Sequence, residues 1–137
     1  MKRLRINHAA VWVCIVLAQI IPLLWYTALG SQWMAANELS QEFIEENQNI
    51  GPYIVSILAS IVSMYVLAMI FRRMEIESAR SGATTGLLIG IAFNTLSIIT
   101  INVFSFRPLV LAVIDGGVNA VVFLVAGAIL GGWRKYA

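Results

Sequence analysis

The chain has 137 residues, of which 60% are hydrophobic and 12% charged, and its mean hydropathy is +0.85. A water-soluble domain of this length has too little interior to hide so much apolar surface, so residues 1–137 are expected to form one domain solvated mostly by lipid. The formal charge of +2 does not point to a nucleic-acid partner, because Lys and Arg sit in short clusters at the ends of apolar runs, a membrane-topology pattern.

The first apolar run extends from His8 to Gly30 behind Lys2, Arg3 and Arg5. It superficially resembles a secretory signal, but it is too long for a signal core, and bulky Trp25 and Tyr26 lie beside the only small-residue cleavage site. An uncleaved helix is expected. Pro22 removes a backbone donor within it and predicts a kink, read as a fixed bend in preference to the hinge of a transport cycle, with Gln19 placed to meet a freed carbonyl or another helix. The next segment, "SQWMAANELSQEFIEENQN", has Leu39, Phe43 and Ile44 at helical spacing and Glu38, Glu42, Glu45 and Glu46 on other faces. That pattern predicts a short amphipathic surface helix, capped by Asn37, whose acidic face is solvated.

The second run covers Pro52–Phe71, the third Ala83–Phe106 and the fourth Pro108–Trp133. Each of the four meets the roughly 20-residue length needed to cross a hydrocarbon core of about 30 Å, and none alternates with the period of a barrel strand. The predicted fold is an all-α integral membrane bundle of four transmembrane helices, with the short amphipathic outer helix between the first two. Small residues mark its packing faces: Ser56, Ser60 and Ser63 on the second helix, and Gly82, Gly86 and Gly90 (then Asn94) on the third. On the fourth, Gly116 pairs with Ala120 and Gly127 with Gly131. Such stripes let helix backbones approach closely, within one chain or between copies.

Lys2, Arg3, Arg5, Arg72, Arg73, Arg80, Arg134 and Lys135 fall on one side of this arrangement and only Arg107 on the other. The asymmetry predicts a multi-pass protein of the cell inner membrane with both termini cytoplasmic. Trp25, Tyr26, Trp33, Tyr53, Phe104 and Phe106 cluster at the outer boundary, and Phe71, Trp133 and Tyr136 at the inner one, as interfacial anchors do.

Little soluble-type chemistry is available. His8 is the sole histidine and Cys14 the sole cysteine, too few ligands for a zinc site. His8 and Asp115 are expected at opposite ends of the bundle, so no Ser-His-Asp arrangement forms. The glycine series on the third helix is a packing stripe, not a phosphate loop. No cofactor, no metal and no enzyme activity are expected.

Three motifs carry a resemblance: "LLWYTALGSQWM" on the first helix, "FSFRP" at the third-to-fourth turn, and "IDGG" with "GAILGGW" on the fourth. Through Trp25, Tyr26, Trp33, Phe104, Arg107, Pro108, Asp115, Gly117, Gly127 and Trp133, nearly the whole chain resembles domain-of-unknown-function family number seventeen sixty-one. The resemblance implies a small bacterial four-helix membrane bundle with no assigned activity. Members commonly carry a proline soon after the Trp-Tyr pair and a histidine one turn after the helix-four carboxylate. Here those positions are Ala28 and Asn119, which removes any proton relay borrowed from that histidine.

Asp115 remains the sharpest functional lead. It lies eight residues, roughly 12 Å, beyond Arg107 along the fourth helix, where inserting a charge costs roughly 2.5–3.5 kcal/mol. Asn119 shares its face, helix three supplies Asn94, Ser97 and Asn102, and Arg107 is placed to bend inward as a counter-ion. Asp115, Asn119, Arg107, Asn94 and Asn102 are therefore the expected polar pathway or interhelical site. Two functions follow. One is a homo-oligomeric channel or transporter for an ion or small solute, and the other a non-transporting subunit that assembles with a membrane partner.

Overall fold

The computed structural model describes residues 3–137. Its first element is a two-residue strand, β1 (Leu4–Arg5), which pairs antiparallel with β2 (Lys135–Tyr136), so the two ends of the described chain meet at one end of the bundle. Between them run α1 (His8–Ala36), α2 (Gln41–Glu46), α3 (Gly51–Arg73), α4 (Ala79–Ile89), a π-helical segment (Gly90–Thr95), α5 (Leu96–Phe104) and α6 (Leu109–Gly132). α4, the π-segment and α5 form one continuous rod. That rod, α1, α3 and α6 are the four helices long and apolar enough to cross a membrane.

Asn7 starts α1 by accepting a hydrogen bond from the Ala10 amide. The helix then continues past Gly30 to Ala36, because Gly30 keeps ordinary helical φ and ends nothing. This extension overturns one expectation. Asn37 does not cap α2 but terminates α1, and the α2 cap is Ser40, whose hydroxyl accepts the Phe43 amide at 3.1 Å.

Three helices end in the same way. Glu38, Glu75 and Phe106 take left-handed φ of 57°, 53° and 55°. The following amides then reach back to the last turn: Leu39 to the Met34 carbonyl, Ile76 to Phe71 and Arg107 to Asn102. This is the Schellman closure, which glycine usually provides because a Cβ costs about 1–2 kcal/mol there.

The glycine stripe belongs to a seam inside one chain. A Cβ added at Gly82 would fall on the Gly127 carbonyl oxygen, one at Gly86 on the Phe123 carbonyl, and one at Gly131 on the Ser78 carbonyl. α4 and α6 thus touch backbone to backbone, which only glycine permits. Gly90 sits against Phe123 and Ala120, and Gly116 against Thr95, whose hydroxyl donates to the Gly116 carbonyl at 2.8 Å.

The apolar core lies toward the end of the bundle that carries β1 and β2. Val11, Cys14, Met64, Leu67 and Phe71 are fully buried there, closed over by Ala126 and Leu130 of α6. At that end α3 is clamped. Its other half, from Pro52 to Ala59, is exposed throughout, so α3 leans away from α1 and leaves a crevice between them.

Candidate functional site

The Asp115 carboxylate is held by α1. Its Oδ1 accepts the Tyr26 hydroxyl at 2.6 Å and the Trp33 indole N–H at 3.2 Å. The two aromatic rings pack edge to face with centroids 6.0 Å apart. Trp25 completes the knot by donating to the Ile114 carbonyl at 3.0 Å, and its ring lies where a Cβ on Gly117 would stand. Neutral donors are a sound solution for a carboxylate at membrane depth, since bonds to a charged acceptor are stronger than neutral ones and add no second charge to desolvate. Arg107 plays no part: it is exposed in the α5–α6 turn. The expected inward pairing with Asp115 is corrected on that ground, the carboxylate being met by Tyr26 and Trp33 instead.

One turn further along α6 the chemistry changes. Asn119 donates to the Asp115 backbone carbonyl at 3.1 Å and lines a cavity of about 210 Å³. Ser56, Ser60 and Ser63 of α3 and Asn94 of the π-segment face the same space, while Met64, Val122 and Phe123 supply apolar wall. Ser60, Ser63, Asn94 and Asn119 are toward the middle of their spans, whereas Ser56 is nearer the start of α3. Asn119 stands ten residues, about 15 Å, along α6 from Leu109.

Gln19 couples α1 to the serine stripe. Its amide N–H donates to Ser60 Oγ at 2.8 Å, and its carbonyl oxygen accepts from Ser56 Oγ at 3.0 Å. Ser60 in turn donates to the Ser56 carbonyl at 2.8 Å. Between the two readings available for Gln19, contact with another helix is therefore the one the structure shows. It also reassigns Ser56 and Ser60, expected as a close-packing stripe: they are hydrogen-bonding walls of an opening.

Two breaks in helix geometry border the cavity. Pro22 has no N–H to give the Ala18 carbonyl four residues back, and both residues line the space. Opposite, the π-segment carries Asn94. Irregular backbone at membrane depth is tolerated where it lines a polar opening, and π-turns recur at functional sites. From the cavity a larger crevice of about 590 Å³ continues between α1 and α3 past Leu23, Tyr26, Thr27, Pro52 and Tyr53, sharing Pro22 and Ser56 with it. Tyr26 is thus both the donor to Asp115 and part of the crevice wall.

Of the five expected pathway residues, Asn94 and Asn119 meet across the cavity and Asp115 lies one turn above. Asn102 does not join them. It is 6% exposed, its amide N–H donates to the Ile98 carbonyl at 2.9 Å, and its Oδ1 is buried without a partner. Tyr26 and Trp33 were read from the sequence only as interfacial anchors. Their seven-residue spacing, which puts both on one side of α1, was the available signal that they act together.

Residues 9–131 match the family model described as "Protein of unknown function (DUF1761)". No curated protein and no solved structure matches the chain. The matched span contains the α1 aromatics, the α5–α6 turn and the α6 carboxylate with its glycines. The chain belongs to this family of unknown function, and its motif residues Trp25, Tyr26, Trp33, Asp115 and Gly117 converge on a single knot.

Proposed function

We propose that this family member is a transporter of a small polar solute or ion, resident in the cell inner membrane with both termini cytoplasmic. One observation carries the reading: a cavity lined by Ser56, Ser60, Ser63, Asn94 and Asn119 in the middle of four apolar helices. Ser56, Ser60 and Asn119 are bonded within the protein and, with Ser63 and Asn94, turn a polar surface toward this space, where a hydrated or polar ligand finds donors and acceptors that lipid would leave unused. At about 30 Å³ per water, the space suits a solute the size of several water molecules. Its lining is uncharged, which favours hydroxyl- or amide-bearing solutes and partly dehydrated ions over strongly charged ones.

The packing supports a carrier more than an open pore. The crevice leads away from the terminal end, while Val11, Cys14, Met64, Leu67 and Phe71 close the route toward it. Access to the other side then requires α3 to swing against α1, with Pro22 and the π-segment as the places where the rods bend. The site is formed within one chain, so a homo-oligomer in this reading multiplies sites instead of building one between copies. The test is flux into liposomes holding the purified protein, across a panel of small polyols, amides, monovalent cations and protons. Transport of a panel member that falls at least tenfold in Ser60→Leu, a substitution that fills the cavity, supports the proposal. A folded protein that moves none of them overturns it.

A second reading, a non-transporting subunit that assembles with a membrane partner, draws on the Asp115 knot. There the carboxylate joins α1 to α6 through its Oδ1 and has no role in flux. The flux panel separates the two, since the second reading expects no transport at all; if the protein does transport, flux that persists in Asp115→Asn, which leaves an acceptor for Tyr26, assigns Asp115 to structure.

A further inference from the structure

A second cavity, of about 340 Å³, opens at the terminal end of the bundle. It is lined by Arg5, Ile6, His8, Arg72 and Lys135. These residues come from four separate places in the sequence: β1, the start of α1, the last turn of α3, and β2. The β1–β2 pairing sets Arg5 directly opposite Lys135. Like charges at facing positions of a strand pair repel, and among the described residues no acidic side chain lines the space to offset them. The ring of His8 is steadied by the Tyr65 hydroxyl, 3.0 Å from its Nδ1. Arg5, Arg72 and Lys135 thus place three exposed cations around one small volume.

Directly along α1 from His8 lies a groove of about 300 Å³ lined by Trp12, Val13, Val16 and Leu17, with no polar surface. His8, Trp12 and Val16 follow one another at four-residue spacing, hence along one side of the helix. A basic cavity with an apolar groove one helical turn further along the same side of α1 matches an amphiphile: phosphate at one end, hydrocarbon at the other.

We infer that the Arg5–Arg72–Lys135 cavity binds the phosphate of an anionic phospholipid whose acyl chain lies in the Trp12–Leu17 groove. The lipid would neutralise the Arg5–Lys135 repulsion and tie α1, α3 and the β1–β2 clasp together at one point. The inference is independent of the solute site, which lies at the other end of α3's buried half.

The shared chemistry is a phosphate, and the experiment separates its sources. Protein purified in a neutral detergent is melted with phosphatidylglycerol, with phosphatidylcholine of the same chains, and with inorganic phosphate at equal concentration. Phosphatidylglycerol at saturation is expected to raise the melting temperature by roughly 3–6 °C, with shifts under about 1 °C from the other two. Each cation near an anionic lipid surface is worth about 1 kcal/mol, or roughly a fivefold change in affinity. Arg72→Gln with Lys135→Gln should then weaken phosphatidylglycerol about thirtyfold. Arg3→Gln with Arg73→Gln removes the same charge from the same end but outside the cavity and should change affinity less than about threefold. If the first pair fails to fold without lipid, Arg72→Gln alone, with its roughly fivefold loss, replaces it. Equal losses in the two pairs, or an equal shift with phosphatidylcholine, overturn the site. A full shift from inorganic phosphate overturns the lipid assignment.

Discussion

The two seams flanking the bundle are built on opposite rules. Where α4 meets α6, Gly82, Gly86, Gly127 and Gly131 remove every side chain between two backbones, and no space remains even for a methyl group. Beyond the apolar core, where α1 meets the open half of α3, contact is made through Gln19, Ser56 and Ser60, and beside them a cavity and a crevice stay open. In lipid, helices associate through close packing and interhelical hydrogen bonds, without the hydrophobic drive available in water. The glycine seam uses the first of these to become rigid. The serine seam uses the second, in bonds individually worth about 0.6 kcal/mol on average, and so can part and re-form. A seam closed by backbone contact thus faces one held by side-chain bonds beside open space.

Substitutions should separate the seams by magnitude. The largest effect is expected from Gly86→Leu or Gly82→Leu, where the new side chain meets the carbonyls of Phe123 or Gly127 and no flexible neighbour can yield. Overpacking usually costs about 1–3 kcal/mol; here the loss should exceed about 3 kcal/mol and appear as a collapsed melting temperature or altered size in detergent. Unchanged melting for both would mean that α4 and α6 do not pack this way. Gly30 provides the internal contrast: nothing lies within 4 Å of an added Cβ there, so Gly30→Ala should be neutral or gain up to about 1 kcal/mol.

Next in size is the Asp115 knot. Asp115→Leu leaves the Tyr26 hydroxyl and the Trp33 N–H without their acceptor and should cost about 2–4 kcal/mol. Asp115→Asn keeps an acceptor oxygen and should cost about 1 kcal/mol. Denaturation in mixed micelles checks the order, and equal costs would show that Tyr26 and Trp33 find other partners. Smaller still, Ser60→Ala removes one bond of the loose seam and should lower stability by under about 1 kcal/mol. The contrast with Gly86→Leu sharpens if Ser60→Ala nevertheless alters solute flux. The smallest effect runs the other way. Glu75→Gly relieves a left-handed residue at the α3 end and should gain about 0.5–1 kcal/mol, read as a rise in melting temperature of a few degrees.

The four spans were legible because a run of apolar residues long enough to cross lipid has few other physical uses. Charge patterning could not show that both described ends meet in a strand pair, since β1 and β2 are two residues each and carry no periodic signal. The α1 end was missed by six residues because Gly30 was read as a stop, and a glycine inside an apolar helix costs only about 1 kcal/mol. The glycine seam was visible as a spacing, but its partner was not: a stripe names one surface, and the opposing Gly127 and Gly131 had to be placed by the fold. Asp115 was found because a carboxylate in lipid is rare. Its donors were overlooked because Tyr26 and Trp33 also satisfy the pattern of interfacial anchors. Ser56 and Ser60 fit either a packing stripe or a polar wall, and only the lean of α3 decides between them.

The π-segment has a geometric consequence of its own. A four-residue step along an α-helix overshoots a full turn by about 40°, so a series at positions 82, 86, 90 and 94 winds slowly around its rod like the lobe of a camshaft. Gly82 and Gly86 bear on the α6 backbone, Gly90 has advanced to Phe123 and Ala120, and by Asn94 the lobe has turned into the cavity. The wider turn of Gly90–Thr95 resets that phase, delivering Thr95 onto Gly116. One rod thereby serves two differently angled surfaces without a loop. The angular offset between the glycine seam and the polar cavity is written into the number of residues that separate them.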